Sequence, residues 1–310
     1  GHADELPGWL DRYVRRLDEL PAASDRITDR SWPAALGDER RVGDWTGYLA
    51  RQVAERPWRE VLVTWWPRLL PGIVAGATHG VIRTGHATRT LLAGDESPAA
   101  VTELAHGLAY WAAKVRPVPG VTAPAGELEP AAALDAVPRI PVQRGTVASR
   151  LAQLGELAGW PGALAAVRPP DDPDDVPRQL ADLVAAATRR YRTHGHASPV
   201  LLVHAATAPN AVLHALPALP VQLWAPSLTA SWVASAVLIA AYAPVTAAPP
   251  EQLPVGAPGP DAVANLLDRA AAHGDEHVIK FSDTAADVYT RTGDPDALAA
   301  ATRCVDLLSG

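Results

Sequence analysis

Cysteine is almost missing from this chain: Cys304 is the single one among 310 residues. A lone thiol excludes a disulfide framework and any Cys-x-x-Cys zinc site, and it fits a reducing, cytoplasmic setting. Any metal must therefore be held by histidine, carboxylate or a less common ligand. Methionine is absent and phenylalanine occurs once, against ten tryptophans. Lysine occurs only at Lys114 and Lys280, so arginine supplies nearly all of the 27 basic residues. A basic run is also lacking. With a formal net charge of -7 and a pI near 5.8, the chain lacks the electrostatic footprint of a nucleic-acid binder.

The longest absence is of charge. Between Ala197 and Pro250 there is no Asp, Glu, Lys or Arg. The best membrane candidate there, "LTASWVASAVLIAAYAPV", is bounded by prolines and diluted by Ser, Thr and Ala, whereas a span needs about 20 continuous apolar residues with flanking anchors. The segment is expected to form central helices surrounded by other helices, with no membrane partner. The opening "GHADELPGWLDRYVRRLDEL" is polar and amphipathic, so no signal peptide is expected. Its Gly-His pair reads as a cloning remnant, which sets His2 aside.

What remains is helical and long enough for one large core, with 48% apolar residues. Leu6, Leu10, Tyr13, Val14, Leu17 and Leu20 recur at helical spacing, which predicts a helix over 4–20. Further helices are predicted at 43–55, at 98–115 behind a serine N-cap, at 147–158, and after the acidic loop at 170–175. "WREVLVTWWPRLLPGIVAGATHGVIRTGHATRTLLAG" reads as two helices parted near Pro67 and Pro71. Others are predicted at 198–215, 226–243, 259–273, 275–292 and 294–308, while 117–141 is Pro, Ala and Gly-rich and reads as an extended excursion. Alternating strand runs, Gly-x-Gly-x-x-Gly and Walker patterns are absent, which excludes a Rossmann site and a P-loop. The expected class is all-α, one domain over 1–310.

The histidines carry the chemistry. His79 and His86 are seven residues apart on one predicted helix, about 20° from a common face and roughly 10 Å apart along the axis. They either share an ion or divide into a ligand and a core residue. His106 lies in "ELAHGLAYWA". His204 lies inside the charge-free segment, where an unpaired polar group would cost about 1–3 kcal/mol, so it must find a hydrogen bond, a metal or a substrate. His214 falls about 80° round from His204 and reads as a separate contact. His194, His196 and His273 sit at helix ends.

His277 and Lys280 are three apart on one helix, so their side chains reach the same point. A desolvated lysine can lose its proton and arginine cannot. A neutral amine can take up carbon dioxide and become a carbamate, an anionic oxygen ligand; otherwise Lys280 is a surface lysine paired with Asp283 or Glu276.

Three motifs in order, "THGVIRTGHATR" at 78–89, "LLVHAATAPNAVL" at 201–213 and "DEHVIKFSDTA" at 275–285, resemble those of the questin oxidase-like family, over roughly residues 40–300. The family includes fungal enzymes of anthraquinone and aflatoxin-type biosynthesis and many bacterial members. The resemblance implies an oxygenase that uses dioxygen for Baeyer–Villiger-type or oxidative carbon–carbon ring cleavage of an aromatic polyketide. It also implies a mononuclear non-haem iron held by histidines and a carboxylated lysine. Position by position, it points to His79, His204, His277 and Lys280. The fungal pattern resembles "HPLIHLGY"; its second histidine falls on Arg83 here, and His86 lies where its tyrosine would be. His86 is the first choice for a fourth imidazole and His106 the second, with a catalytic part for His106 if it is not a ligand.

Neutral imidazoles with one anionic oxygen suit iron(II), and also admit zinc or manganese. A need for NADPH is left open. Arg83, one turn from His79, is a candidate for orienting dioxygen or pairing a substrate phenolate, or else forms a structural ion pair. Trp65, Trp66, Trp111, Trp224 and Trp232 are candidates for stacking a flat substrate or for simple core. Two rival readings stay open: a metal-dependent hydrolase built on a carboxylated lysine, and a non-catalytic helical binding protein whose histidines only hydrogen-bond.

Overall fold

A computed structural model describes residues 2–15, 17 and 21–309. Among them the chain is helical throughout, with no strand and one isolated parallel bridge between Leu128 and Val167. The principal helices are α1 (Leu6–Val14), α2 (Val42–Glu55), α3 (Trp58–Leu69), α4 (His79–Leu92), α5 (Pro98–Lys114) and α6 (Pro130–Ala136). They continue with α7 (Val176–His194), α8 (His204–Ala215), α9 (Trp224–Tyr242), α10 (Ala262–His273), α11 (Glu276–Thr292) and α12 (Pro295–Leu308).

The all-α expectation holds, and so does the charge-free centre. Pro199–Ala218 and Val221–Tyr242 are long and apolar enough to cross a membrane, yet about 72% and 67% of their most apolar windows are buried inside the protein. From Ser231 to Tyr242 every residue of α9 is buried, so that stretch has no exposed face on which to put a polar stripe. Its serines satisfy themselves or neighbours: Ser231 Oγ donates to the Ser227 carbonyl at 2.8 Å, and Ser227 Oγ accepts from Trp66 Nε1 at 2.9 Å.

Proline explains most departures from the predicted boundaries. α3 runs through Pro67, and the break comes at Leu70–Gly72. Pro67 is exposed, so the carbonyl it leaves unpaired lies on a side that water can reach. The predicted 198–215 helix is two pieces, Pro199–Leu202 and α8, with a turn at Val203. Within α8, Pro209 cannot donate to the Ala205 carbonyl. Ser235 Oγ from α9 donates to that carbonyl instead, at 2.7 Å. The 117–141 excursion contains α6, and the 147–158 helix divides into Val147–Leu151 and a 3-10 turn at Ala152–Glu156. The N-terminal helix is shorter than predicted and has no buried residue; Leu20 lies outside the described residues.

α4, α8 and α11 form the layer that matters below. α4 approaches α5 and α8 closely because it carries glycine where they cross. A Cβ on Gly80 would meet Trp111 Cβ at 2.6 Å, and one on Gly85 would meet the Ala211 carbonyl oxygen at 2.5 Å. The glycines of "HGVIRTGH" thus set the helix spacing that brings His79 to His204.

Candidate metal centre

Three helices begin at one place. His79 is the first residue of α4, His204 the first of α8, and His277 the second of α11. One nitrogen from each imidazole falls within 4.8 Å of the others. The rings of His79 and His204 meet edge to face at 4.8 Å between centroids, and those of His204 and His277 at 5.5 Å. Lys280, one turn into α11, completes the group: its Nζ is 2.6 Å from His204 Nε2 and 3.2 Å from His79 Nε2.

The outer nitrogens fix the tautomers. His204 Nδ1 lies 3.2 Å from the Leu201 carbonyl, which can only accept, so Nδ1 carries the proton and Nε2 a lone pair. His277 Nδ1 lies 3.2 Å from Asp275 Oδ1, which imposes the same choice. His204 Nε2 and His79 Nε2 are 3.1 Å apart. Imidazole nitrogens turned towards one another around an amine are poorly matched unless a proton or a cation sits among them.

Electrostatics keeps the imidazoles neutral and weakens the hold of Lys280 on its proton. Burial pulls His79 down to about 3, with the Lys280 charge as the next cause. Burial also pushes His204 well below the usual histidine range, and His277 is lowered for the same first reason. Lys280 is brought down to about 8 by burial, against the pull of Glu276 and Asp275. Each helix also turns its positive end towards the centre. An electropositive site with neutral nitrogen ligands holds a cation well only if an anionic ligand joins them. Asp275 and Glu276, whose oxygens fall within 4.8 Å of one another and of a His277 nitrogen, are the anions present there, and a carbamate on Lys280 would add another; such a donor set would fit a metal ion.

Backbone strain marks the same spot. Gly76, Ala77 and Thr78 are all left-handed, at φ of 54°, 54° and 67°, and lead directly into His79. For residues other than glycine this conformation costs of order 1–3 kcal/mol, and such strain gathers at functional sites. Thr78 is fully buried. Nothing in the composition of "GATH" announces this turn.

The other candidates lie elsewhere. His86 is outside the three-histidine group; its electrostatic neighbours are Arg89, Asp283, His214 and Asp287, and burial lowers it to about 4. The seven-residue spacing did place it on the inner side of α4, but two turns too far along. His106, partly buried on α5, is also outside the group. Arg83 makes a two-pronged ion pair with Glu103, with Nη2 2.7 Å from Oε2, and its side chain is 41% exposed. That geometry is the structural ion pair rather than a substrate contact. Lys280 is not paired with Asp283, which binds Arg89 at 2.9 Å. Four of the five candidate tryptophans are core: Trp65, Trp66, Trp111 and Trp232 are fully buried, and Trp224 donates to the Leu216 and Leu219 carbonyls.

Asp275 is the residue at this site that motif spacing overlooked. It caps α11 by accepting from the His277 and Val278 amides at 2.7 and 3.3 Å, and the same oxygen orients the His277 ring. Its signature was present as an aspartate after a glycine stop, at the start of a helical run. Comparison with protein-family models and with curated proteins found no match in either.

Proposed function

We propose that the chain is a metal-dependent oxygenase of aromatic polyketides, with one metal held by His79, His204, His277 and the carbamate of Lys280. The observation that carries this reading is the meeting of three imidazoles, two of them with their tautomers fixed, around the amine of a lysine, in a protein that uses arginine almost everywhere else. The order of the three motifs supplies the reaction class.

Arginine at position 280 would stay charged and would repel a cation; a lysine brought down to about 8 exposes a usable fraction of free amine at neutral pH. Its nitrogen forms a bond to the carbon of carbon dioxide and releases one proton, which leaves a carboxylate-like oxygen pair on a side chain that was cationic. Iron(II) bound there would supply redox activation of dioxygen, and the same donors accept zinc or manganese. Asp275 holds the His277 ring and makes it a stronger donor. His204, 1% exposed, closes the inner wall against water. The three positive helix ends favour an anionic oxygen on a substrate at the outer side, where His79, His277 and Lys280 are only partly buried. A cytoplasmic setting follows from this chemistry, since carbamate and iron(II) both persist in a reducing, carbon dioxide-containing solution.

The test is elemental analysis of wild type beside His277→Ala and Lys280→Ala, followed by oxygen uptake with an anthraquinone. About one iron per wild-type chain, lost in both variants, with oxygen consumption that needs the iron, is the expected result. No transition metal after anaerobic iron(II) loading would sink the ligand assignment. A bound metal with oxygen-independent ester or amide cleavage would replace the oxygenase by a hydrolase.

A further inference from the structure

The arginines at the end of α7 each have an acid. Arg189 pairs with Asp294 at 3.0 Å, Arg192 with Asp296 at 2.7 Å, and Arg190 with Asp135, whose own side chain is 71% exposed. Arg139, from the segment that follows α6, is the exception. Its Nη1 donates to the Val137 carbonyl, and among the described residues it has no ion pair. Burial lowers its pKa with no carboxylate to offset the cost. The Nε groups of Arg139 and Arg190 are both buried and without a hydrogen-bond partner. A guanidinium taken out of water is normally paired, so one positive charge and two N–H donors are in surplus.

His194 ties the two arginines to one place. Burial first, then the charges of Arg190, Arg139 and His196, hold its pKa down to about 4, so the ring is neutral at neutral pH. Thr193 fixes its tautomer. The Thr193 hydroxyl donates its one hydrogen to the Arg190 carbonyl at 3.0 Å, so towards His194 Nδ1, 2.7 Å away, it can only accept. Nδ1 therefore carries the proton and Nε2 a lone pair. Arg190 and His194 line one small cavity, about 10 Å³, over an apolar floor of Leu202, Ala205 and Ile239. That is room for one water-sized group, so an oxygen can enter it and a whole organic substrate cannot.

We propose that Arg139, Arg190 and His194 form a binding site for inorganic hydrogen phosphate, seated at the mouth of this cavity and separate from the metal centre. The two arginines supply the charge and the free Nε donors, in the forked geometry that suits oxyanions. The His194 lone pair supplies selectivity. Hydrogen phosphate keeps one O–H and can donate it to Nε2, whereas sulfate carries only lone pairs and meets Nε2 with repulsion. A phosphate monoester loses its second proton at about pH 6 and then resembles sulfate in this respect. The site therefore selects the free ion over the phosphate of a larger molecule, in agreement with the size of the cavity.

The test is calorimetric titration of the full chain with sodium phosphate, sodium sulfate and methyl phosphate, at constant ionic strength and about pH 7.5, where the monoester has lost its second proton. Wild type is compared with Arg139→Gln, His194→Ala and Lys280→Ala. Wild type is expected to bind phosphate about tenfold more tightly than sulfate or methyl phosphate, the scale of one hydrogen bond made against one buried acceptor left unpaired. Arg139→Gln is expected to weaken all three anions about tenfold, the scale of one charged hydrogen bond. His194→Ala is expected to bring phosphate and sulfate to equal affinity, and it reads the selectivity even if the Arg139 variant fails to fold. Lys280→Ala should bind phosphate as wild type does; loss of binding there would place the ion at the metal centre and overturn the assignment. No saturable phosphate binding by wild type, equal affinity of wild type for all three anions, or an unchanged affinity in a folded Arg139→Gln would overturn it too.

Discussion

The same three helices, α4, α8 and α11, carry two polar clusters that differ in one respect. At their N-terminal ends, His79, His204, His277 and Lys280 face one another, and two carboxylates, Asp275 and Glu276, lie 3.2 and 3.8 Å from His277 Nδ1. Two to three turns further on, the imidazoles have an acid of their own. His214 pairs with Asp287 at 2.8 Å, Asn210 donates to the same carboxylate at 2.9 Å, and Arg89 binds Asp283, with His86 among them. The far cluster pairs its charges, with His214 Nδ1 left buried and without a hydrogen-bond partner. The near cluster gathers three imidazoles and an amine, with Asp275 and Glu276 at its edge, a donor mixture of the kind that coordination sites use.

The largest test of this contrast is therefore chemical. His204→Ala should abolish metal binding, whereas His86→Ala and His214→Ala should keep the wild-type metal content by elemental analysis. Loss of metal in the His86 variant alone would move the fourth ligand to α4 and merge the two clusters. Next comes Asp275→Asn, which retains a good helix cap but removes the charge behind His277. Metal affinity should fall about 10–100-fold, as for other groups that orient ligating imidazoles, with little change in unfolding midpoint. A variant with wild-type affinity would show that the ring is held by packing.

The far cluster should respond in stability and not in metal. Asp287→Asn leaves His214 beside a neutral amide and should cost about 1–3 kcal/mol in denaturant unfolding, the range for breaking a partly buried charged hydrogen bond. Its pH dependence has a fixed sign. Burial raises the Asp287 carboxyl while His214 and Asn210 lower it further, for a net depression. The stability it adds is present above the ordinary carboxylate range and is lost as pH falls through the depressed value. His86 acts in a higher window. Burial lowers it from 6.5 to about 4, so the unfolded chain binds the proton first and stability declines as pH falls from about 6.5 to about 4. His86→Gln should flatten that part of the acid limb, read from urea midpoints between those values; an unchanged slope would assign it to other groups.

This division shows what the sequence can carry. The helical class, the buried charge-free centre and the pairing of His277 with Lys280 are local or compositional, and they were legible. His79 and His204 join that pair across 201 and 76 residues of separation from Lys280, and only the motif order pointed to them. His86 misled because helical phase fixes a face and not a height: seven residues preserve direction while moving about 10 Å along the groove. Arg83, one turn along α4 from His79, reaches Glu103 on α5, a partner that no spacing rule along α4 could supply. The left-handed turn at Gly76, Ala77 and Thr78 was illegible for another reason: alanine and threonine have no preference for it, and the surrounding packing imposes it.

The smallest expected effect lies between the two clusters. Pro209 divides α8 into a half that carries His204 and a half that carries His214, and it cannot donate to the Ala205 carbonyl. Ser235 repairs the gap from α9, so Ser235→Ala orphans a buried acceptor next to His204 and should cost about 1 kcal/mol. Restoring the missing donor by Pro209→Ala in the same chain should recover part of that loss, because the α8 ladder would then satisfy Ala205 itself. Recovery measured by a double-mutant cycle would mean that the serine and the proline form one device, holding the first turn of α8 and with it the His204 lone pair. Additive losses would mean that the kink is tolerated for its own sake, and that His204 is held in place by the Leu201 carbonyl alone.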